Sequence, residues 1–418
     1  MVTGSSTCKF TAAAFAVALT GLIVSAGSVA HAQTTSVVAA GGYLVFPKIV
    51  AHTTAAGANP ALAAGEFAQD TVIQLTNTST DLIEVNCYYI NANRHCGTPP
   101  GAGAVVCRDD TECPAGVRCV PGWQSQDFQI ELTPRQPLGW TASAGLELPC
   151  SPVGNNSCAG NAIQQGLIPP VGEDPFIGEL RCVEVSSDVP LLANDLKGEA
   201  TIVESGPSGA PPTDVLTAAY NAVSFAALSD GGGGDALCLG GTPTGGTACA
   251  AQYTPCGSSL SLQHYFDGAV TPQGVVNTEL TLSPCSARVE AGGVIVPDNR
   301  VVAMILVYNE FEQRFSTGTV LNCVESIRLV DIDTPPGPAG DEASLFSVGT
   351  QGTLGGQTRI KGTSVADNGF GPGLVGLAHQ YFAPDAGVSA TASSAHHVNV
   401  SEFAAQNPPD AVILPLAP

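Results

Sequence analysis

The sequence predicts an all-β chain, two antiparallel β-sandwich domains in tandem, the first interrupted by a disulfide-rich insert. Three observations carry that expectation. Residues 70–90, DTVIQLTNTSTDLIEVNCYYI, alternate apolar and polar with a period of two on both sides of Asn77-Thr-Ser-Thr-Asp81, as two half-buried strands of a hairpin would. Residues 301–324, VVAMILVYNEFEQRFSTGTVLNCV, repeat that plan, with Asn309 in place of Asn77 and Cys323 in place of Cys87. Composition agrees: 48 glycines, 31 prolines and only 12% charged residues make a turn-rich chain, and 44% hydrophobic content argues against disorder. A chain of 418 residues is long enough for two cores.

The first 32 residues read as a signal peptide: Lys9, an apolar run, then Ala30-His31-Ala32, with cleavage after Ala32. An uncleaved anchor is the alternative. Cys8 precedes the apolar run and is not placed for lipid attachment. No later stretch is long and apolar enough to span a bilayer. With 14 Lys+Arg against 36 Asp+Glu the net charge is −22, which repels nucleic acid and anionic membrane. Thirteen of the 14 cysteines follow Ala32, allowing six disulfides and one odd thiol in an oxidising compartment. Zinc ligation would want paired C-x2-C or Cys/His spacings, and none occurs.

Taken in order, residues 42–50 (GYLVFPKIV) read as a first strand and 51–67 as a loop before the hairpin. The insert, 91–122, carries Cys96, Cys107, Cys113 and Cys119 and so few apolar residues that it needs crosslinks to hold a shape. Residues 127–132 resume the strand pattern, flanked by Trp123 and Trp140 as core anchors. Cys150 and Cys158 close a local loop, and the strand at 176–185 carries Cys182, a candidate partner for Cys87 across the sandwich. Strands at 196–203 and 218–228 follow, the second with an alanine-rich helix as its rival. The run SDGGGGDALCLGGTPTGG is the strongest break in the chain. It makes 229–247 a linker between a first domain, 33–228, and a second, 248–418, with Cys238, Cys249 and Cys256 stapling the junction. In the second domain strands fall at 260–266, 278–282, 301–323, 327–332, 346–353, 358–362, 374–382 and 397–400. Lys361-Gly362 echoes Lys197-Gly198, a hint of duplication.

Two stretches carry a resemblance. CRDDTECPAGVRC, residues 107–119, resembles short cysteine-knotted inserts of secreted bacterial proteins. VIQLTNTSTDLIEVNCYYI, with YLVFPKIV upstream, resembles exported bacterial β-sandwich proteins of unknown function, in which an Asn-Thr-Ser turn joins the first strands of an immunoglobulin-like layer. The resemblance implies immunoglobulin-like domains; it covers only the opening strands and brings no catalytic motif with it.

Chemistry-bearing motifs are sparse. G-x-S-x-G, H-E-x-x-H and G-x4-G-K-[ST] are all missing. Residues 371–376 match G-x-G-x-x-G, but outside a βαβ unit and with Pro372 in the turn. His264 and His379 read as strand residues at the edge of the core, and His396-His397 has no third ligand at useful spacing. Asp109, Asp110 and Glu112, and the pair Asp331/Asp333, offer hard oxygens suited to calcium, against the plainer reading of a solvated loop and a capped turn. Asn77, Asn155 and Asn399 open N-glycosylation sequons. No catalytic, cofactor or metal residue is assigned. The expectation is an exported, non-catalytic structural or interaction protein of the cell surface or extracellular space, with an unknown protein or glycan partner. The rivals are a calcium-assisted carbohydrate or small-ligand binding module stacking sugars on Trp123, Trp140 and Tyr381, and a secreted hydrolase built on His264 or His379.

Overall fold

The computed structural model describes residues 36–52, 68–97, 105–107, 110–121, 125–146, 168–205, 215–228, 236–240, 252–289, 300–334, 338–365, 371–383, 392–403 and 410–414. The expected signal peptide, Asp109, Trp123, Cys150, Asn155, Cys158, Cys249 and most of the glycine-rich segment lie outside the described residues.

The chain opens with β1 (Tyr43–Ala51), β2 (Ala68–Asn77) and β3 (Ile83–Asn91). The insert adds β4 (Arg94–Cys96), β5 (Val106–Cys107) and β6 (Cys119–Pro121). There follow β7 (Ser125–Leu132), β8 (Pro137–Thr141), β9 (Phe176–Ser186), β10 (Val189–Pro190), β11 (Leu196–Ser205), β12 (Val215–Asn221) and β13 (Val223–Phe225). Within the segment expected as a linker, β14 (Ala236–Leu239) is a strand with Leu237 fully buried. The remainder comprises β15 (Gly257–Tyr265), β16 (Val270–Thr271), β17 (Gly274–Pro284), β18 (Ala287–Arg288), β19 (Val301–Asn309), β20 (Arg314–Leu321) and β21 (Glu325–Arg328). Two short helices, α1 (Pro338–Ala343) and α2 (Val348–Gln351), lead to β22 (Gly355–Ser364), β23 (Leu374–Ala383), β24 (Ala392–His397), β25 (Asn399–Phe403) and β26 (Asp410–Ile413).

These strands form five sheets and the small insert sheet β5-β4-β6. Sheet 1 runs β13-β1-β9-β3-β7, with β10 on β9, and sheet 2 runs β12-β11-β2-β8. Sheet 3 is β14-β26-β18, sheet 4 is β20-β19-β22-β15-β25, and sheet 5 is β17-β23-β24 with β16 and β21 on β17. The all-β expectation holds, at 65% strand and 5% helix among the described residues, but the two tandem immunoglobulin-like sandwiches do not. The five sheets are arranged instead as a propeller-like ring of five blades. The physical reason lies in strands β1, β3 and β9, which are buried on both faces rather than alternating in and out. Leu44 and Phe46 of β1 enter a core shared with sheet 2, whereas Tyr43 and Val45 enter one shared with sheet 3. A third core lies between sheets 4 and 5, around Leu280, Ile305 and Ile360. Residues from Thr34 onward form one unit.

The stretch at 70–90 is not a hairpin. β2 pairs with β8 and β11 in sheet 2, and β3 pairs with β7 and β9 in sheet 1, so the chain arches from one sheet to the other. Asn77 pins the arch: its buried amide donates to the carbonyls of Asp81 (2.7 Å), Thr133 (3.0 Å) and Leu132 (3.1 Å), and its Oδ1 accepts from Ser79 N (2.8 Å). That burial also closes the Asn77 sequon to modification of the folded chain. The second copy is a true hairpin, β19 on β20, turned about Asn309, whose Oδ1 accepts from Phe311 N and Gln313 N.

The hint of duplication strengthens at the level of topology. Nine strands of the first half (β1, β2, β3, β7, β8, β9, β11, β12, β13) visit sheets 1 and 2 in the same order in which β15, β17, β19, β20, β21, β22, β23, β24 and β25 visit sheets 4 and 5. The neighbours also match, β13-β1-β9-β3-β7 corresponding to β25-β15-β22-β19-β20.

Four disulfides have both cysteines among the described residues: Cys87–Cys182, Cys96–Cys113, Cys107–Cys119 and Cys256–Cys285. The expected Cys87–Cys182 pair forms, but between the adjacent strands β3 and β9 of one sheet rather than across two. Its separation of 95 residues makes it worth roughly 4–5 kcal/mol on the chain-entropy view. Cys323 is a free and buried thiol, so it is not placed to link two chains.

The arch yields a first test. Asn77→Ala strands buried carbonyls and is expected to lower the unfolding free energy by about 2 kcal/mol or more, read as a shift in denaturant midpoint at unchanged slope. A loss near zero would show that the arch does not depend on that amide.

Candidate functional site

The densest polar cluster is buried where sheets 1, 2 and 5 meet. Lys48 stands alone as a charge in the apolar strand YLVFPKIVA, and its Nζ donates to Glu279 Oε2 of β17 at 2.6 Å. Ser326 of β21 donates to the other oxygen of Glu279. On β11, Glu204 accepts from Gln69 Nε2 (2.6 Å) and from the hydroxyl of Tyr381 (2.9 Å). That hydroxyl also lies 2.9 Å from His379 Nδ1. Burial raises the Glu204 carboxyl, an effect that nearby Lys48 opposes. Burial lowers His379 well below the ordinary histidine range, with Lys48 adding to it, so this imidazole is neutral.

A second buried knot joins sheet 1 to the end of β17. Arg181 Nε donates to Glu179 at 2.7 Å, and its terminal nitrogens donate to the carbonyls of Pro284 (2.7 Å) and Cys285 (2.8 Å). Ser283 donates to the other Glu179 oxygen at 2.6 Å. Burial works against the Arg181 charge, and Glu179 outweighs it. Lys48, Glu204, Glu279, Glu179 and Arg181 are all at most 1% exposed, which makes these clusters internal fastenings. Sequence reading passed over all five. The plainest signal was Lys48, a lone charge inside the apolar run VFPKIV, whereas Glu179 and Arg181 stand two residues apart in GELRCV and Glu279 lies among threonines in NTELTL.

The residues singled out from sequence fall elsewhere. His264 is buried against the Thr358 hydroxyl (2.8 Å) and the Tyr265 carbonyl (2.9 Å), and burial lowers it to about 4. His397 Nε2 meets the Asn221 carbonyl at 2.5 Å. Among the described residues neither His264 nor His379 is hydrogen-bonded to a serine, so the constellation a serine hydrolase needs is not assembled on them. Trp140 is a core residue, its Nε1 donating to the Tyr89 hydroxyl at 2.6 Å, and Tyr381 is equally buried. Neither can stack on an external sugar. Asp110 caps the insert by accepting from Cys119 N at 2.8 Å. The insert is further tied down by Glu173, which accepts from Asn91 (2.6 Å), Asn93 and His95 (2.9 Å). The Cys96, Cys107 and Cys113 sulfurs cluster tightly, but as disulfides rather than thiolate ligands. Residues 371–376 run into strand β23 rather than a helix, with Gly373 N donating to Asp410 at 3.0 Å.

Asp331 and Asp333 separate. Asp333 is a capping residue, accepting from Ser344 Oγ (2.6 Å) and Leu345 N (2.7 Å). Asp331 turns toward Arg328, Asp341 and Asp267, and Arg328 donates to Asp341 at 3.1 Å. Asp267 is buried, accepts from Thr278 N (2.8 Å), and is pushed up to about 8, first by burial and further by the neighbouring carboxylates.

The outer face of sheet 4 is different in kind. Val302, Met304 and Leu306 of β19 point away from the core beside Val320, and Arg314, Arg359 and Lys361 border that strip. Met304 is 55% and Val320 46% exposed. Arg359 lies 5.5 Å from the centre of the Tyr308 ring. The strands β15, β19, β20 and β22 carry these three basic residues and not one acidic residue, in a chain of net charge −22. The corresponding face of sheet 1 bears Tyr88, Ile90, Val183 and Val185 and is covered by sheet 3.

No family model matches this chain, and neither does any curated protein.

Two tests follow from the interior. Lys48→Met leaves the Glu279 carboxylate buried without its counter-charge and is expected to cost about 3–5 kcal/mol, with Lys48→Met/Glu279→Gln recovering part of it. Equal losses in the single and double variants would contradict the pairing. Asp267 holds a proton in the folded state that the unfolded chain releases near pH 4. Its contribution to stability is therefore full at acid pH and is lost as pH rises toward about 8. Asp267→Asn should flatten the decline in stability between pH 5 and 8, measured by denaturant titration; an unchanged slope would place the titration elsewhere.

Proposed function

We propose that this chain is an exported, non-catalytic interaction protein acting at a cell surface or outside the cell, through the outer face of sheet 4. The observation that carries the reading is that open face. Its counterpart in the first half has its apolar patch of Tyr88, Ile90, Val183 and Val185 covered by a further sheet, whereas this one keeps an apolar strip in contact with water and rims it with Arg314, Arg359 and Lys361. Exposed apolar strips rimmed by polar side chains are a common mark of binding surfaces. The bordering charges favour a partner with acidic groups beside apolar ones.

Two further features support it. The four disulfides suit an oxidising compartment. The buried carboxylates and histidines are engaged in holding sheets together, which supports a binding role over catalysis.

The test places two acids on the strip. Met304→Asp/Val320→Asp changes exposed side chains only, so its melting temperature should stay within a few degrees of the parent. In the producing cells the variant is expected to pass from the surface-bound fraction into the medium. Equal retention of parent and variant would overturn the reading.

A further inference from the structure

We infer that copies of this chain join edge to edge, the basic edge strand β20 of one copy adding antiparallel to the acidic edge strand β7 of the next. This names a second copy as a partner for the interaction role proposed above and rests on that reading.

β7 and β20 occupy the same place in the repeated strand order, each the last strand of its sheet among the described residues. Each pairs with its inner neighbour, β3 or β19, over its whole length without a register shift. Neither contains a proline. Natural sheets usually blunt such an edge with a bulge, a proline or a lysine, because its free backbone groups can accept another strand. The two edges are opposite in charge. β7, SQDFQIEL, holds Asp127 and Glu131 and no basic residue, whereas β20, RFSTGTVL, holds Arg314 and no acidic one.

The alternation of side chains fixes a register. Phe128, Ile130 and Leu132 of β7 face the core, as do Phe315, Thr317 and Leu321 of β20. Antiparallel addition that keeps both inner faces on one side can set Arg314 opposite Glu131, Ser316 opposite Gln129 and Gly318 opposite Asp127. Each edge is electrostatically unfinished at that first row. Glu131 lies directly across from Glu84, a like-charge pair that destabilises a sheet. Arg314 lies across from Tyr308, over whose ring Arg359 already sits. Joined, the row brings the two carboxylates of one copy against the Arg314 guanidinium of the next, with Arg359 behind it. Gly318 opposite Asp127 leaves room beside the apolar strip, and the acid-free strands β20, β19, β22 and β15 let one acidic chain approach another.

The contact uses two different strands, so it is heterologous and builds an open chain or a larger ring rather than a two-fold dimer. Sedimentation velocity of the purified protein over a concentration series reads this directly. The expected result is growth beyond dimer, weakened by salt. Arg314→Glu alone and Glu131→Arg alone should each weaken association about tenfold or more, since each sets like charges face to face. An equimolar mixture of the two single variants should regain it, because every junction between unlike copies again pairs opposite charges. A parent that stays monomeric, a parent that stops at a dimer, or a mixture no tighter than either variant alone would each overturn the inference. If the parent stays monomeric while Met304→Asp/Val320→Asp still leaves the surface, the partner is another molecule and the interaction role stands. If neither effect appears, both fall.

Discussion

The ion pair between Lys48 and Glu279 is the constraint on which the arrangement of the ring depends. It spans 231 residues of sequence and joins sheet 1 to sheet 5, and through Tyr381 it is continuous with Glu204 on sheet 2. Dehydrating such charges is costly, so the pair is tolerable only with its further hydrogen bonds, from Ser326 and Tyr381 to Glu279 and from Gln69 and Tyr381 to Glu204. Apolar packing is non-directional and would let these sheets slide against one another. A network that fails unless every partner is present does not. The second knot, Arg181 on Glu179, Ser283 and the carbonyls at the end of β17, fixes the same junction at another point.

How much of this was legible in the sequence depends on which physical signal each feature leaves. Strand positions leave a local one, and β1, β2, β3, β7, β9 and β11 lie close to where alternation places them. Partners leave none. The period of two in residues 70–90 is the same whether the chain turns back within a sheet or arches to the next, and only the strands that β2 and β3 pair with distinguish the two. For the same reason Cys87 and Cys182 could be paired by eye while the geometry of the pair could not, since adjacent and facing strands bring cysteines together equally well. The continuous apolar run of β1 was the missed clue to the ring: a strand without alternation is enclosed on both sides. Within it Lys48 was missed because a single charge in an apolar stretch looks like a defect until its partner is known. Trp140 failed as a sugar platform and succeeded as a core anchor, its indole nitrogen satisfied by Tyr89. The open face of sheet 4 was legible in principle, as four strands without an acid in a strongly acidic chain.

The repeated strand order explains how one plan can serve two purposes. In the first half the outer face of the five-strand path carries an apolar patch of Tyr88, Ile90, Val183 and Val185, which becomes interior where sheet 3 covers it. In the second half the equivalent face has exchanged most of its apolar side chains for Arg359, Lys361, Gln357 and their polar neighbours, and it stays open. The buried face is held by packing and the ionic fastening, while the open face keeps only the apolar positions Val302, Met304, Leu306 and Val320. Stability is therefore concentrated at the junction of the sheets, and the proposed recognition lies on their outside.

Native-state hydrogen exchange, read by mass spectrometry across the chain, tests most directly whether the buried ionic junction makes one cooperative body. If it does, amides of β1 and β11 from the first half and of β17 and β23 from the second will exchange with a common opening free energy equal to that of global unfolding. Were the amides of one half to exchange at a distinctly lower free energy than those of the other, the halves would be independent and the junction would be no more than a contact between them.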